Sequence, residues 1–261
     1  MSSSLVVKAL QFDIQWEEIF HNLNYLDQKI STFKDECNLL ILPEMFTTGF
    51  SMYPETLAEQ MSGQTIQKMK AWAQMLKGAV CGSIIIKDHD EYFNRFVFVD
   101  EEGAVQFYDK RHLFDLAGEG KHYSGGKSRP TFEYRGWRIC PQICYDLRFP
   151  VWSRNTSDYD LLIYVASWPE TRHSAWEKLL QARAIENQSY VIGVNRCGLD
   201  GNNYAYKGGS MIIDYMGDPI KVAGSIDEVL QAELTMDEKE RYREKFPFLD
   251  DRDSFAILEN L

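Results

Sequence analysis

Apolar and polar positions alternate along this chain with two periods. The opening "LVVKALQF" is apolar and free of breakers, and it reads as a strand. Behind it Ile19, Leu23, Leu26, Ile30 and Phe33 recur at steps of four and three, which puts them on one face of a helix. "NLLILP" is a short, continuously apolar run, the mark of a strand buried on both faces. Ile66, Met69, Ala73 and Leu76 predict a second helix. "AVCGSIIIK", "NRFVFVD" and "AVQFYDK" predict three strands in succession, separated by polar turns such as "DEEG". Further on, "YDLLIYVASW" reads as a strand, "HSAWEKLLQARAIENQ" as a helix and "YVIGVN" as a strand. "GSMIIDYMGDPIKVAG" predicts a hairpin turning at "MGDP", "VLQAEL" a last strand, and "DEKERYREKF" a short charged helix.

The order is therefore mixed: β-α-β-α, a block of strands, then β-α-β-α-β again. Two strand-and-helix halves packed in layers satisfy it, which makes the fold class α/β. No repeat, low-complexity tract or Pro/Ser-rich linker divides the sequence, so residues 1–261 read as one domain. Residues 247–261 form a patternless tail, either solvent-exposed or bridging subunits. Residues 111–130, "RHLFDLAGEGKHYSGGKSRP", are rich in glycine and charge and lack a period; a loop of that length in a compact domain is usually functional or disordered.

At 261 residues and 44% hydrophobic content the chain has enough apolar material for one core. A formal charge of −11 argues against nucleic acid or an anionic membrane as partner. It leaves room for a small anionic substrate, because one or two local cations suffice for that. There is no apolar run of about 18 residues to span a membrane, and "MSSSLVVKALQF" lacks the pattern of a signal peptide. The expectation is a cytoplasmic protein. Cys37, Cys81, Cys140, Cys144 and Cys197 are odd in number and scattered, as reduced thiols are. In an extended segment Cys140 and Cys144 would lie about 13 Å apart, too far for a disulfide or a shared metal. Pro141 between them makes a helix costly, and a bulge or unpaired amide is expected where it interrupts the strand. No phosphate-cradling glycine loop or His/Cys ligand cluster appears, so neither cofactor nor metal is expected.

Candidate chemistry comes from strand exits. In "WRICPQICYDLRFPVW", Cys144 stands where an apolar run meets a polar "YDLR". Glu44 closes "NLLILPEMF", Lys110 closes "AVQFYDK", and Glu119 lies in the long loop at "DLAGEG". Loops leaving strand ends commonly build active sites, because the strands hold side chains rigidly while the loops leave room for ligand. Each of the four taken singly is an ordinary residue: a core thiol, a solvated strand end, a charged loop start. A Cys–His pair is the rival arrangement, with His112, His122 and His173 at loop positions.

"LPEMFTTGF", "YDKRHLF" and "ICYDLRFP", in this order and spacing, resemble the three signature blocks of the nitrilase, or carbon–nitrogen hydrolase, superfamily, and the similarity runs through nearly the whole chain. Within it, "SWPETRHSAWEKLLQARAIENQSYVIGVNRCGLDGN" looks most like the omega-amidase branch. The resemblance implies a four-layer α-β-β-α sandwich, often paired into a homodimer or larger assembly. It implies a catalytic Glu–Lys–Cys triad at Glu44, Lys110 and Cys144, with Glu119 as a second glutamate, and favours Cys–Glu over Cys–His. It further implies hydrolysis of the terminal amide of a small α-keto acid amide, 2-oxoglutaramate or 2-oxosuccinamate, through a cysteine thioester. Lys110 and the backbone N–H of Tyr145 are the expected oxyanion donors. Arg148, Arg172 and Arg196 are candidates for the substrate carboxylate, and Phe50, Tyr145 and Trp168 for aromatic walls. Other readings are a related hydrolase of a carbamoyl amine, β-ureido acid or nitrile, or a non-catalytic interaction protein on the same scaffold.

Overall fold

The structure, a computed structural model, describes residues 4–33 and 36–258. In chain order, the first half contains β1 (Ser4–Gln11), α1 (Ile19–Ser31), β2 (Leu39–Ile41), α2 (Pro54–Leu57), α3 (Gln64–Leu76), β3 (Ala79–Asp88), β4 (Glu91–Val99) and β5 (Val105–Asp109). Next come β6 (Phe132–Tyr134), β7 (Trp137–Ile143), α4 (Pro150–Ser153), β8 (Leu161–Ala166), α5 (His173–Asn187) and β9 (Tyr190–Asn195). The chain continues through β10 (Cys197–Leu199), β11 (Ala205–Lys207), β12 (Met211–Ile213), β13 (Pro219–Val222), β14 (Glu228–Thr235) and α6 (Met236–Lys245).

The strands form two six-stranded sheets, β14-β1-β2-β3-β4-β5 and β13-β12-β9-β8-β7-β6, with β10 and β11 as a separate ribbon. Within each sheet the middle is parallel: β1, β2 and β3 in one, β7, β8 and β9 in the other. A strand buried on both faces must be apolar at every position, and β2 and β8 are. Leu39 and Ile41 of β2, with Leu161, Ile163 and Val165 of β8, point between the sheets. Leu40 and Leu42 instead meet Leu23, Leu26 and Ile30 of α1 and Ile66, Met69 and Trp72 of α3. On the far side Leu162, Tyr164 and Ala166 meet Trp176, Leu180 and Ala184 of α5. Three apolar layers between four layers of secondary structure make the α-β-β-α sandwich.

One expectation needs correction. Pro141 makes no bulge: β7 keeps unbroken parallel register with β8 from Ile139 through Ile143, Pro141 opposite Ile163. On its other flank β7 pairs with β6 only from Trp137 to Ile139, so by residue 141 there is no ladder on that side for the missing N–H to break. The "VLQAEL" strand, β14, closes the first sheet, lying antiparallel to β1 over Ser4–Gln11. That long return ties the chain's last strand to its first. In the tail, Leu249 is buried and Arg252 pairs with Asp158 at 2.9 Å.

Candidate active site

Four strand exits converge. Glu44, Lys110, Cys144 and Ser167 follow β2, β5, β7 and β8 respectively, within three residues of each strand's end. Glu44 sits in a turn held by Met45 N donating to Ser83 Oγ at 2.9 Å and Phe46 N to Ser83 O at 3.1 Å. Lys110 is fixed through its backbone, its N–H donating to Asn94 O at 3.0 Å and its carbonyl accepting from Gly126 N at 2.8 Å. Cys144 opens a 3₁₀ turn, Cys144–Arg148, with φ at 45°. A non-glycine residue in that left-handed region bears backbone strain, which is characteristic of functional positions.

The polar core of the site is fully enclosed. Lys110 Nζ donates to Glu44 Oε1 at 2.9 Å and to both Glu119 oxygens, at 3.0 and 2.9 Å. All three side chains have 0% exposure. Asn94 Nδ2 donates to Glu44 Oε1 at 2.7 Å and more weakly to Glu119 Oε1 at 3.4 Å. The Ser167 N–H takes the other Glu44 oxygen at 2.7 Å, and the Phe114 N–H takes Glu119 Oε2 at 2.6 Å. Beneath the ammonium lies the Phe50 ring, 4.9 Å to its centroid.

Charge in this enclosure is unbalanced, two carboxylates against one ammonium, and the ionisation reflects it. Burial opposes the Lys110 charge, but Glu119, Glu44 and Cys144 outweigh it and raise the lysine pKa above its usual range. Glu119 is raised, first by burial and then by Glu44, with Lys110 pulling the other way. The Cys144 thiol is pushed well above the ordinary value by burial and then by the facing Glu44 carboxylate, while Lys110 draws it down. At rest, therefore, the sulfur keeps its proton, and a neighbouring carboxylate is placed to take it as a bond forms.

Cys144 opens onto a cavity of about 720 Å³. The expected contact residues Tyr145, Trp168 and Arg172 line it, as do Phe50 and Arg148. Tyr145 meets Phe114 edge-on, centroids 5.0 Å apart. Trp168 is held by its N–H on Asn195 Oδ1 at 2.7 Å and its indole N–H on Arg172 O at 2.8 Å. The Arg148 guanidinium lies over Trp168 at 4.9 Å and that of Arg172 over Phe114 at 5.0 Å. Neither arginine forms an ion pair among the described residues.

Arg196 is not such a cation. It is buried outside the cavity lining, committed to Asp13 Oδ1 at 3.0 Å and to the carbonyls of Ile14 and Leu199. No histidine lines the cavity either; the His112 imidazole is turned to Asp146 Oδ1 at 2.8 Å. Cys140 lies in the outer core with α5. Sequence reading missed Asn94, Ser167 and the Asp200–Tyr206 wall of the cavity. Asn94 did leave a signal: with Arg95 it is a polar pair opening the buried stretch of β4. Asp200 shapes the wall by accepting from Asn202 N, Tyr204 N and the Tyr206 hydroxyl at 2.8 to 2.9 Å.

Comparison with known proteins fits this geometry. The family description "Carbon-nitrogen hydrolase" matches residues 7–244. The chain belongs to the carbon–nitrogen hydrolase family. It is 44% identical to an omega-amidase, YafV, of Yersinia enterocolitica, covering 98% of this chain and 100% of the relative. Identity to a 2-oxoglutaramate amidase of Bacillus subtilis is 33%, covering 94% and 96%. Among solved structures, a CN-hydrolase superfamily protein of Xanthomonas campestris carrying an arsenic adduct in its active site superposes with a TM-score of 0.95 at 38% identity, covering 98% and 99%.

Proposed function

We propose that this protein is an omega-amidase. It hydrolyses the terminal amide of a small 2-oxo acid amide, 2-oxoglutaramate or 2-oxosuccinamate, to the acid and ammonia. The observation that carries the reading is the buried Lys110 clasped between Glu44 and Glu119 beside a left-handed Cys144 that faces an open cavity. The branch follows the full-length similarity to omega-amidases.

Amides resist attack because the carbonyl carbon is a poor electrophile and the amine a poor leaving group, and a covalent route divides the difficulty. Glu44 takes the Cys144 proton as sulfur adds to the carbonyl. Lys110 and the Tyr145 N–H stabilise the oxyanion. Collapse breaks the C–N bond, and Glu44 returns the proton to departing ammonia. It then activates the water that cleaves the thioester. Glu119 holds Lys110 throughout. Every role is filled by a side chain or backbone group of this chain, so chelators are expected to leave turnover unchanged.

The substrate carboxylate needs a cation, and Arg172 is assigned to it, with Arg148 on the same wall. The domain is taken as residues 1–261, acting in the cytoplasm, a reading supported by its five unpaired thiols. No described helix is long and apolar enough to cross a membrane. Pairing into a homodimer is supported by the exposed Ile185 of α5 and Met216 of the β12–β13 turn, where Gly217 packs against Ile185.

A substrate panel tests the reading by ammonia release from 2-oxoglutaramate, 2-oxosuccinamate, a β-ureido acid, a carbamoyl amine and a nitrile. The 2-oxo acid amides are expected to have the highest kcat/KM; preference for the nitrile or a carbamoyl compound overturns it. Arg172→Ala should raise KM for 2-oxoglutaramate about 10- to 100-fold, the scale of a lost charged hydrogen bond, with little effect on an uncharged amide. An equal loss on both substrates contradicts the assignment.

A further inference from the structure

Cys144 and Lys110 belong to different sheets. β7 delivers the cysteine from one, and β5, an edge strand, delivers the lysine from the other. No backbone ladder fixes the distance between them. We propose that Asp146 is the positioning residue that does so, a buried strut holding the nucleophile turn against the lysine strand.

Asp146 is fully buried, two residues after the nucleophile. Its Oδ2 accepts from the Ile143 N–H at 3.0 Å and from the Tyr108 hydroxyl at 2.7 Å. Its Oδ1 accepts from the His112 N–H at 3.0 Å and the imidazole Nδ1 at 2.8 Å. An ionised carboxylate has about four lone-pair sites, and all four are filled. The Ile143 amide lies immediately before the left-handed Cys144. Tyr108 and His112 stand two residues to either side of Lys110. One carboxylate thus grips the lysine segment on both flanks and the nucleophile turn between them.

Two further contacts extend the strut. The Tyr108 hydroxyl accepts from the Arg111 N–H at 3.1 Å and from Trp152 Nε1 at 3.0 Å, reaching α4 beyond the nucleophile turn. The His112 ring lies flat on Phe149, centroids 3.6 Å apart at 5°. A carboxylate that merely capped its own turn would need only the Ile143 contact. Three of the four bonds of Asp146 go to the other sheet's strand and its exit. The function of His112 follows: it is a donor to Asp146, not an acid or base at the substrate.

Asp146→Asn keeps the shape but turns one acceptor into an NH₂ group that must face an N–H donor, so one strut breaks. His112→Ala removes the imidazole donor and spares the backbone one. His112→Asn replaces it with another N–H. The proposal rests on Cys144 being the nucleophile, and not on which amide is the substrate. The experiment therefore measures kcat and KM on 2-oxoglutaramate together with the rate of iodoacetamide alkylation at Cys144, beside thermal melts of each variant.

Asp146→Asn is expected to lower kcat about 100-fold, the usual consequence of a displacement on the order of 1 Å, with KM nearly unchanged. Alkylation of Cys144 should slow about tenfold as Lys110 loses its hold on the sulfur. His112→Ala should lower kcat, and His112→Asn should restore most of it. Wild-type kcat and alkylation in a folded Asp146→Asn variant overturn the proposal. So does a His112→Asn variant as impaired as His112→Ala, which would mean that the imidazole itself is required. Should Asp146→Asn fail to fold, the His112 pair decides. Absence of turnover in the wild type counts against the functional reading alone, and the alkylation rates still judge the strut.

Discussion

Lys110 shows how much a single side chain does here. It is the only cation in hydrogen-bond contact with Glu44 and Glu119 among the described residues, and all three are sealed from water. From sequence, Lys110→Ala is expected to cost oxyanion stabilisation alone, about 2.7–4 kcal/mol in the transition state, with the fold intact. The geometry adds a second loss. Removing one partner of a buried ion pair strands the other and destabilises by about 3–5 kcal/mol, and here two carboxylates are stranded. Thermal melts at pH 7 should show the drop. It should shrink as pH falls, because Glu119, whose pKa burial already raises, takes up a proton and sheds its unpaired charge. A Lys110→Ala variant as stable as the wild type at pH 7 would contradict the enclosure. In the wild type the lysine pKa lies above 10.5, so its stabilisation is complete below that value and is lost only as pH climbs past the raised one. Cys144 makes a separate prediction. Its pKa stands well above 9.0, so its alkylation rate in free enzyme should still be climbing at pH 9. A plateau below that pH would show an already ionised thiol and remove the need for Glu44 as base.

Among the elements, the exit of β5 depends on the long loop that follows. Gly126 N donates to Lys110 O, and a Cβ at Gly126 would meet the Asp109 carbonyl oxygen at 2.1 Å. Neither backbone has a flexible end to yield, so Gly126→Ala should push the strand exit aside. It should destabilise by about 1–3 kcal/mol, the usual cost of overpacking, and lower kcat more than it raises KM. An unchanged melting temperature and kcat would show the loop is not part of the lysine's support. That dependence was only half legible beforehand. The strands that carry the site announce themselves, because β2 and β8 are apolar at each position and α1 keeps its stripe. β6, β10 and β11 are three residues long, too short for alternation to register. Residues 111–130 lack a period because they are built from two 3₁₀ turns and extended chain held by side chains such as Glu119 and Tyr123. What spacing along the chain never contains is convergence: that Asn94 reaches both glutamates, or that Arg196 pairs with Asp13. Local pattern gave the layers, and the family blocks gave the triad. The supporting contacts were left to three dimensions.

For the molecule as a whole, the acid–base groups are enclosed while the sulfur faces an open cavity, so reagents from solvent reach one thiol before the rest. All five thiols have raised pKa values, but Cys37, Cys81, Cys140 and Cys197 are buried, whereas Cys144 is partly exposed. Light scattering tests the proposed pairing: a mass of two chains is expected, and a monomer that is fully active contradicts it. The most direct test of the central claim is mass spectrometry of the intact protein, acid-quenched during turnover of 2-oxoglutaramate. The account predicts an adduct equal to the substrate less ammonia, mapping to the Cys144 peptide and missing from an inactive Cys144→Ala variant. Steady ammonia release by Cys144→Ala, or an adduct carried on another residue, would contradict it.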